Sequence, residues 1–561
     1  MVRQMVGTDK SIGRADTILT DDIVATYAAP DYRGDMTYPL LLERNARCHA
    51  DDVAVADERR QITWSALWAD ARKLAAHFIE MGVARGDVVA IQLPNRIDYV
   101  VALAASNLAG AIASPYLVNL RAHEVKFILN FSRAVVVIVA ADGAYDLVGM
   151  VTGLRTELPF LKQIITVGDY SATHEGVVTL ESLLNAAPEA GFIDQQLRQR
   201  VTAPGDVNRI MFTSGSTGDP KGVLHTHGST LYNNRFFNEF LGLNERSVLL
   251  VFVPLTLNLG MFHVFQAALL PCTLVLIETF TPEKVIGSVG DWKVTGFACP
   301  PTALLAMTRD PMFSKSKFSS LKFVISAGTP CAADVQRALV EALGCPLLDG
   351  YGMTEAGWIS ATRLDDDPAR SEGTVGFPLP WMGLAICDED GNAVAPGVVG
   401  EVTLGGPSIC VGYYNAPRRN AESWMPNGRF RTGDLGFIDS AGRLRLVGRS
   451  KDLIKHGGMG VHPREIEEVL ATHPKIAAVI VVGIPDAYFG ENGCACVVPK
   501  ADAAITLDEI IAYLTDKIAK YKIPQHLEIF DHIPLAASGK IQRHVLRDDV
   551  HARLRRAAAG G

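Results

Sequence analysis

The sequence predicts an α/β protein: a large N-terminal domain of layered α/β subdomains plus a β-rich subdomain, and then a small α+β C-terminal domain. Three observations predict it. Between residues 62 and 325 short apolar, β-branched runs alternate with amphipathic segments, the pattern of parallel strands covered on both faces. From Gly376 onward the texture changes to short runs punctuated by Gly397, Gly400, Gly405, Gly406 and Gly412. Beyond Val447–Asp452 helix and strand signals mix again in a compact segment, which places the domains at residues 1–448 and 449–561. The chain is 48% apolar and 20% charged over 561 residues, which suits several packed cores and excludes a disordered or fibrous chain.

The elements follow in order. A helix is expected over Ile62–Met81, where Leu67, Ala71, Leu74, Ala75 and Phe78 share one face and Gly82 stops it. Strands are expected at Val88–Leu93, Ala134–Val139, Val248–Val253, Thr273–Ile277 and Lys322–Ile325. In the C-terminal segment Pro463 suits a first helical turn, and Ile466, Val469 and Leu470 form an apolar face. Ala477–Val482 reads as a strand. Thr506-Leu-Asp-Glu509 has capping-box form and opens a helix carrying Ile510, Ile511, Leu514 and Ile518.

The composition also narrows function. A net charge of −8 with no long Lys/Arg run argues against a nucleic-acid binder. The short basic cluster His551–Arg556 reads as a solvated tail. Nine cysteines without a CxxC pair speak against disulfides or a zinc site, and Cys494 and Cys496 read as buried strand residues. There is no N-terminal apolar leader and no apolar stretch long enough to span a membrane, so a cytoplasmic protein is expected. His225, His227 and His263 read as loop or core histidines.

The sharpest local signal is Ile210–Gly222, an apolar strand end running into Thr213, Ser214, Gly215, Ser216, Thr217, Gly218 and, after Asp219-Pro220, Lys221. Glycines let backbone N–H groups converge on an anion, while the hydroxyls and lysine add donors and charge. The loop fits a polyphosphate. Its spacing is not that of a Walker loop.

Four further motifs accompany it: Gly350-Tyr-Gly-Met-Thr-Glu355, Tyr413-Tyr-Asn415, Arg431-Thr-Gly-Asp434 and Gly448-Arg-Ser-Lys-Asp452, with Gly539-Lys540 near the end. In this order the set resembles the adenylate-forming superfamily of acyl-CoA synthetases, nonribosomal adenylation domains and beetle luciferases, over essentially the whole chain. The resemblance implies a two-step reaction. A carboxylate attacks the α-phosphorus of ATP to give acyl-AMP and pyrophosphate, and coenzyme A then gives the thioester. Two anions must be brought together, which calls for charge neutralisation and positioning. Thr354 would contact the α-phosphate and Glu355 would ligate Mg²⁺, a hard cation suited to a carboxylate. Tyr351 would stack on adenine, with Ala327, Gly328 and Thr329 covering the other face. Asp349 would accept from the adenine amino group, and the Gly350 backbone belongs to the same nucleotide motif. Asp434 would hold the ribose with Arg449 as its partner, and Lys540 would be the transferring cation. Lys451 would be the hinge of a mobile C-terminal domain, whose second state presents Gly457-Gly458 to the pantetheine arm. Here the chain departs from the family's Gly-Gly-Glu-Asn with Gly457-Gly-Met-Gly460, which touches the thiol-side contacts.

For the acid, the resemblance points to Val253–Gly260, where Leu257 stands in the place many acyl-CoA synthetases give to histidine. Asn258 is similar to the asparagine that aryl-acid enzymes use on their substrate. Phe262, Ala298, Trp358 and the Cys299-Pro-Pro301 stretch would add apolar walls. An aromatic or cyclic carboxylic acid is therefore expected. A medium-chain fatty acid, or an aryl acid delivered to a carrier protein in trans, stands as the alternative, and a homodimer is among the expected assemblies.

Overall fold

The computed structural model describes residues 36–559 except 171–173, 175, 187, 214–219, 329, 330, 332, 368, 369, 457, 458, 487, 502 and 536–540. The chain forms two compact units, one drawn from Met1–Gly383 and Gly405–Phe430, the other from Leu384–Leu404 and Arg431–Gly561. The border expected at 448/449 thus falls inside the second unit. The reason is a ladder: Phe430–Ile438 pairs antiparallel with Leu444–Arg449 and draws the residues before 449 into the second unit's sheet.

Among the described residues the first unit holds two large sheets. One has seven strands in the order Val177–Thr179, Gln163–Val167, Val136–Ala140, Val88–Gln92, Ile112–Pro115, Val207–Thr213 and Lys221–Thr226. All its pairings are parallel except the last, a hairpin. The other has nine, in the order Phe377–Pro378, Gly357–Ala361, Leu347–Met353, Phe323–Ala327, Gly296–Cys299, Val248–Val251, Thr273–Leu276, Val53–Ala56 and Gln61–Thr63. The five apolar runs expected as buried parallel strands are all such strands, divided between these sheets. Helices cover both, so each run is buried on two faces and needs no polar alternation.

Two adjacent residues tie the sheets together. Arg96, only 2% exposed, forks onto Glu278 at 2.8 and 2.6 Å and reaches Asp142 at 2.7 Å. Asp142 follows a strand of the seven-stranded sheet and Glu278 one of the nine-stranded sheet, so a single guanidinium joins both. Asn95 donates to the carbonyls of Val253 and Ile277 at 2.9 and 3.1 Å and accepts from the Leu255 N–H at 2.8 Å. Tyr99 adds a bond to the Leu255 carbonyl at 3.0 Å. The turn Val253–Leu257 is therefore held by side chains from outside its own sheet.

The first expected helix is shorter than its apolar pattern. Gln61–Thr63 is an edge strand and the helix is Trp64–Glu80, because Thr63 caps it by accepting from the Ala66 N–H at 3.3 Å. Gly82 does end it, with φ of +76°. In the second unit the strands Ala385–Cys387, Gly400–Leu404, Phe430–Ile438 and Leu444–Arg449 form one sheet, the β-rich region expected after Gly376. Another sheet there is built on the long hairpin Ile476–Asp486 and Gly490–Pro499, with Ile454–His456, Met459–Val461 and His526–Ile529 added. Pro463 opens the helix Pro463–Ala471, and Thr506 and Glu509 form the reciprocal capping box, at 3.3 and 3.0 Å. That helix ends at Leu514, so Ile518 joins the core from a turn instead.

Cys494 and Cys496 are buried strand residues facing Leu546 and Val550 of the last helix, Arg543–Ala559. The basic cluster 551–556 lies on this helix and is not a free tail: Arg553 pairs with Asp549 at 2.9 Å and lies over the Phe530 ring. Among the described residues no helix is long and apolar enough to cross a membrane.

Candidate active site

The expected phosphate loop connects the hairpin strands Val207–Thr213 and Lys221–Thr226, with Thr213 and Lys221 in register at its mouth. Ser214, Gly215, Ser216, Thr217 and Gly218 lie outside the described residues. The second strand carries the segment 411–414 along its free edge through the bonds Leu224 N–H to Gly412 O and Val411 N–H to Leu224 O, both 2.9 Å, and Tyr414 N–H to Gly222 O, 2.8 Å. This pairing brings Tyr413 to the hairpin mouth. The Tyr413 hydroxyl donates to Glu355 Oε1 at 2.8 Å, and the Lys221 ammonium lies 5.1 Å from the Tyr413 ring centroid. A buried carboxylate, a phenol and a lysine therefore meet beside the loop. Burial, and then the Glu355 charge, push the Tyr413 phenol far above its ordinary pKa, so it stays a donor. Tyr413 belongs to a quoted motif but has no role in the sequence expectation. Its place depends on strand pairing across about 190 positions of chain, which no local pattern reports.

Thr354 and Glu355 sit in the turn of a second hairpin, Leu347–Met353 with Gly357–Ala361. Ala327 pairs with Gly350 and Ser326 with Asp349 on the neighbouring parallel strand. This sets Ala327, Asp349, Gly350 and Tyr351 in one strip, followed by Gly328 at φ of +89°, a left-handed backbone that glycine adopts without strain. Asp349 is nearly buried, and its backbone exchanges bonds with Thr362 at 2.8 and 3.0 Å. Tyr351 and Thr354 are half-buried. Thr329 lies outside the described residues.

Gly350 has a duty beyond its motif. A Cβ there would lie 2.5 Å from Trp358 Cζ3 and 3.1 Å from Cε3. Gly350→Ala must displace the indole, and the expected result is a loss of about 1–3 kcal/mol in denaturant unfolding together with a raised KM for the acid. Unfolding and steady-state kinetics on the same preparation check it. Wild-type stability would show that the indole has room to move.

The apolar end of the site is an aromatic cluster. Phe237 stacks on Trp358 with centroids 5.0 Å apart at 16°, and Phe262 meets both edge-on, at 5.7 and 6.1 Å. Ala298 is buried on its strand beside Ile325. Phe237, on the helix His227–Phe240, is absent from the sequence expectation, although an Arg-Phe-Phe-Asn-Glu-Phe run marks that helix as aromatic. Asn258 is the first residue of the helix Asn258–Leu269, half-buried, with Nδ2 3.5 Å from the Met353 carbonyl, one residue before Thr354. His225, His227 and His263 are core residues, as expected. Burial holds all three neutral, lowering His227 to about 3, His263 to about 4 and His225 well below its ordinary value.

In the second unit Asp434 and Arg449 face each other across one antiparallel ladder, with Arg449 Nε 3.0 Å from Asp434 Oδ1. The carboxylate is nearly buried while the guanidinium stays 53% exposed, so the pair keeps an open side. Lys451 follows in an exposed single turn, Ser450–Asp452. Gly457, Gly458 and Lys540 lie outside the described residues, but the flanks of the Lys540 segment are defined. Leu535 bridges Ile541, and the Gln542 N–H donates to the Pro534 carbonyl at 3.0 Å. Arg543 then forks onto Glu467, both bonds 2.6 Å, with Nε 3.8 Å from Asp452. One side chain thus links the base of the Lys540 segment to the residue beside Lys451. Arg543→Ala is expected to cost about 2 kcal/mol of stability and to raise hydrogen exchange at residues 541–546; unchanged exchange there would remove the anchoring role.

Comparison with known proteins gives the family. The AMP-binding enzyme family model matches residues 42–414, and the AMP-binding enzyme C-terminal domain matches 465–540. The chain belongs to the AMP-binding enzyme family, the one its motifs resemble. It is 30% identical over 536 residues to a medium-chain fatty-acid–CoA ligase of Escherichia coli, covering 94% of this chain and 93% of that protein. It is 31% identical over 509 residues to a feruloyl-CoA synthase of an Amycolatopsis species, covering 90% and 97%. The crystal structure of ATP-bound MatB from Rhodopseudomonas palustris superposes with a TM-score of 0.81 at 25% identity, covering 92% and 99%. The α/β architecture, with its large N-terminal part and smaller C-terminal part, is that of these enzymes.

Proposed function

We propose that this chain is an ATP-dependent carboxylic acid–coenzyme A ligase. The observation that carries the reading is the meeting of Glu355, Tyr413 and Lys221 at the mouth of the phosphate-loop hairpin. In the first half-reaction a carboxylate oxygen bonds to the α-phosphorus of ATP as the bond to the pyrophosphate oxygen breaks. In the second, the thiol sulfur of coenzyme A bonds to the acyl carbon as the acyl carbon–oxygen bond to AMP breaks, AMP leaving with the electron pair and the thiol proton passing to solvent.

The donor set fits Mg²⁺ carried in with ATP. Among the described residues no group of three or more His, Cys, Asp and Glu gathers to cage a metal. Glu355 offers one hard oxygen, fixed by the Tyr413 hydroxyl, and magnesium is commonly held by one or two carboxylates plus substrate phosphates. Magnesium, when bound, offsets the phosphate charge that repels the acid. Thr213, Lys221 and the loop residues 214–218 grip the phosphates, Thr354 orients the α-phosphate, and Tyr351, Asp349, Gly350 and Ala327–Thr329 receive the adenine. Asp434 takes the ribose hydroxyls with Arg449 beside it. Lys540 supplies the cation of the adenylation step, Lys451 the pivot, and Gly457-Gly458 the room for pantetheine.

For the acid we favour an aromatic or cyclic carboxylate. Phe237, Phe262 and Trp358 form a rigid aromatic cluster, with Phe262 one helical turn after Asn258, which suits a short flat substrate, and a relative of similar identity is named for feruloyl-CoA. A medium-chain fatty acid is the second reading, because the Escherichia coli relative is named for that class. The deciding experiment is a pyrophosphate-release screen over benzoates, hydroxybenzoates, aminobenzoates, cyclohexane carboxylates and fatty acids, with and without coenzyme A. Turnover of cyclic acids with thioester formation is expected. Turnover of fatty acids alone would overturn the acid class and leave the ligase, and no release with any acid would overturn the ligase itself.

A further inference from the structure

Arg209 lies on the strand Val207–Thr213 and is 3% exposed. Its guanidinium donates to Thr230 Oγ1, to Asn208 Oδ1 at 3.2 Å and to Asn258 Oδ1 at 3.2 Å, its Nε faces Met211 Sδ at 3.3 Å, and the Phe265 ring centroid is 5.1 Å away. None of these partners is an anion. Burying a charge without a counter-charge is costly, and burial draws the Arg209 pKa down to about 9, which still leaves a cation at neutral pH. Its cross-strand neighbour His225 is neutral, so the positive charge is single. A buried cation whose partners among the described residues are all neutral, set behind a half-buried amide, does more than fill space.

The amide's orientation follows from chemistry. A guanidinium only donates, so the oxygen of Asn258 must face Arg209. The Met353 carbonyl only accepts, so the nitrogen must face Met353, 3.5 Å away. The two constraints agree. One N–H of Asn258 is directed at Met353, and among the described residues no protein acceptor takes the second. The helix Asn258–Leu269 has no side-chain cap at its start, so its N-terminal dipole adds positive potential at the same corner.

We propose that Arg209 is a positioning residue for the acid substrate: it locks the Asn258 amide so that a donor, backed by positive charge, faces the pocket, which therefore selects acids presenting an acceptor oxygen there over acids of equal size presenting an N–H donor. This rests on the reading of Asn258 as an acid-site residue. Without Arg209 the amide is free to turn over and present either edge.

The test uses the full-length enzyme and the best ring acid from the screen, with its methoxy, ethyl and methylamino analogues, which match in size. KM and kcat for acid and ATP are measured on wild type, Arg209→Met, Asn258→Ala and the double variant. Wild type is expected to prefer methoxy over ethyl and methylamino. Arg209→Met and Asn258→Ala should each raise the acid KM about tenfold and erase that preference, with the ATP KM within about twofold of wild type. The double variant should be no worse than Asn258→Ala. A wild-type acid KM and preference in Arg209→Met, with Asn258→Ala impaired, would overturn the role of Arg209 alone. Wild-type behaviour of Asn258→Ala would overturn the acid-site reading and this inference with it. Where Arg209→Met lacks a cooperative melt, Arg209→Gln replaces it under the same criteria.

Discussion

Lys540→Gln is expected to lower ATP–pyrophosphate exchange by about a thousandfold. The substitution keeps a polar, hydrogen-bonding side chain of similar length but deletes the cation proposed to stand between the acid and the phosphate. Two opposite unit charges 4 Å apart attract by about 4 kcal/mol at the effective dielectric of a protein surface, and that energy, if present only in the transition state, is about three decades of rate. A lysine suits the task because its ammonium is a compact charge needing no fixed fork. The thioester half-reaction started from supplied acyl-AMP should keep its rate within about threefold, since no anionic nucleophile has to reach a phosphate. Isotope exchange and single-turnover thioester formation on the same variant separate the two. Equal loss in both halves would mean that Lys540 holds the fold of its segment instead. Acetylation of Lys540 would act through the same lost charge.

Glu355→Gln should produce the other large effect, a shift in magnesium dependence. The glutamine oxygen can still accept the Tyr413 hydroxyl, now at 2.8 Å from the carboxylate, so the phenol keeps its place and the variant removes charge with little change of shape. A neutral amide is a poor ligand for a hard cation. The magnesium needed for half-maximal exchange is expected to rise at least about tenfold, with kcat at saturating magnesium down by about a hundredfold. The tyrosine should also ionise more readily, because the Glu355 charge is one of the causes of its raised pKa. An unchanged magnesium titration would assign Glu355 to structure alone.

Much of this was legible along the chain because it is local. Pro463 opening a helix, the Thr506–Glu509 capping box and the twice-buried strands each depend on a few neighbouring residues, and the motif order carried the family. What stayed hidden is long-range. The apolar runs do not say which sheet each joins, since a buried parallel strand looks the same in either. Tyr413 reaches Glu355 only through edge pairing with the strand Lys221–Thr226, and Phe237 meets Trp358 only once the helix and the hairpin pack. Thr354 could equally head a helix by composition; the neighbouring strand, pairing Gly357–Ala361 with Leu347–Met353, makes it a turn. Arg209 is the clearest omission. An arginine inside an apolar strand is itself a signal, because charge in such a run is seldom accidental.

The clasp that Asn95 and Tyr99 place on Val253–Leu257 has a consequence for how this catalyst can be diversified. Three bonds from a distant stretch of chain leave that bend little freedom to lengthen or slide. Laboratory selection for new acids should therefore enrich changes in the side chains proposed to line the acid site, Phe237, Asn258 and Phe262 first, while insertions in the bend itself should be purged.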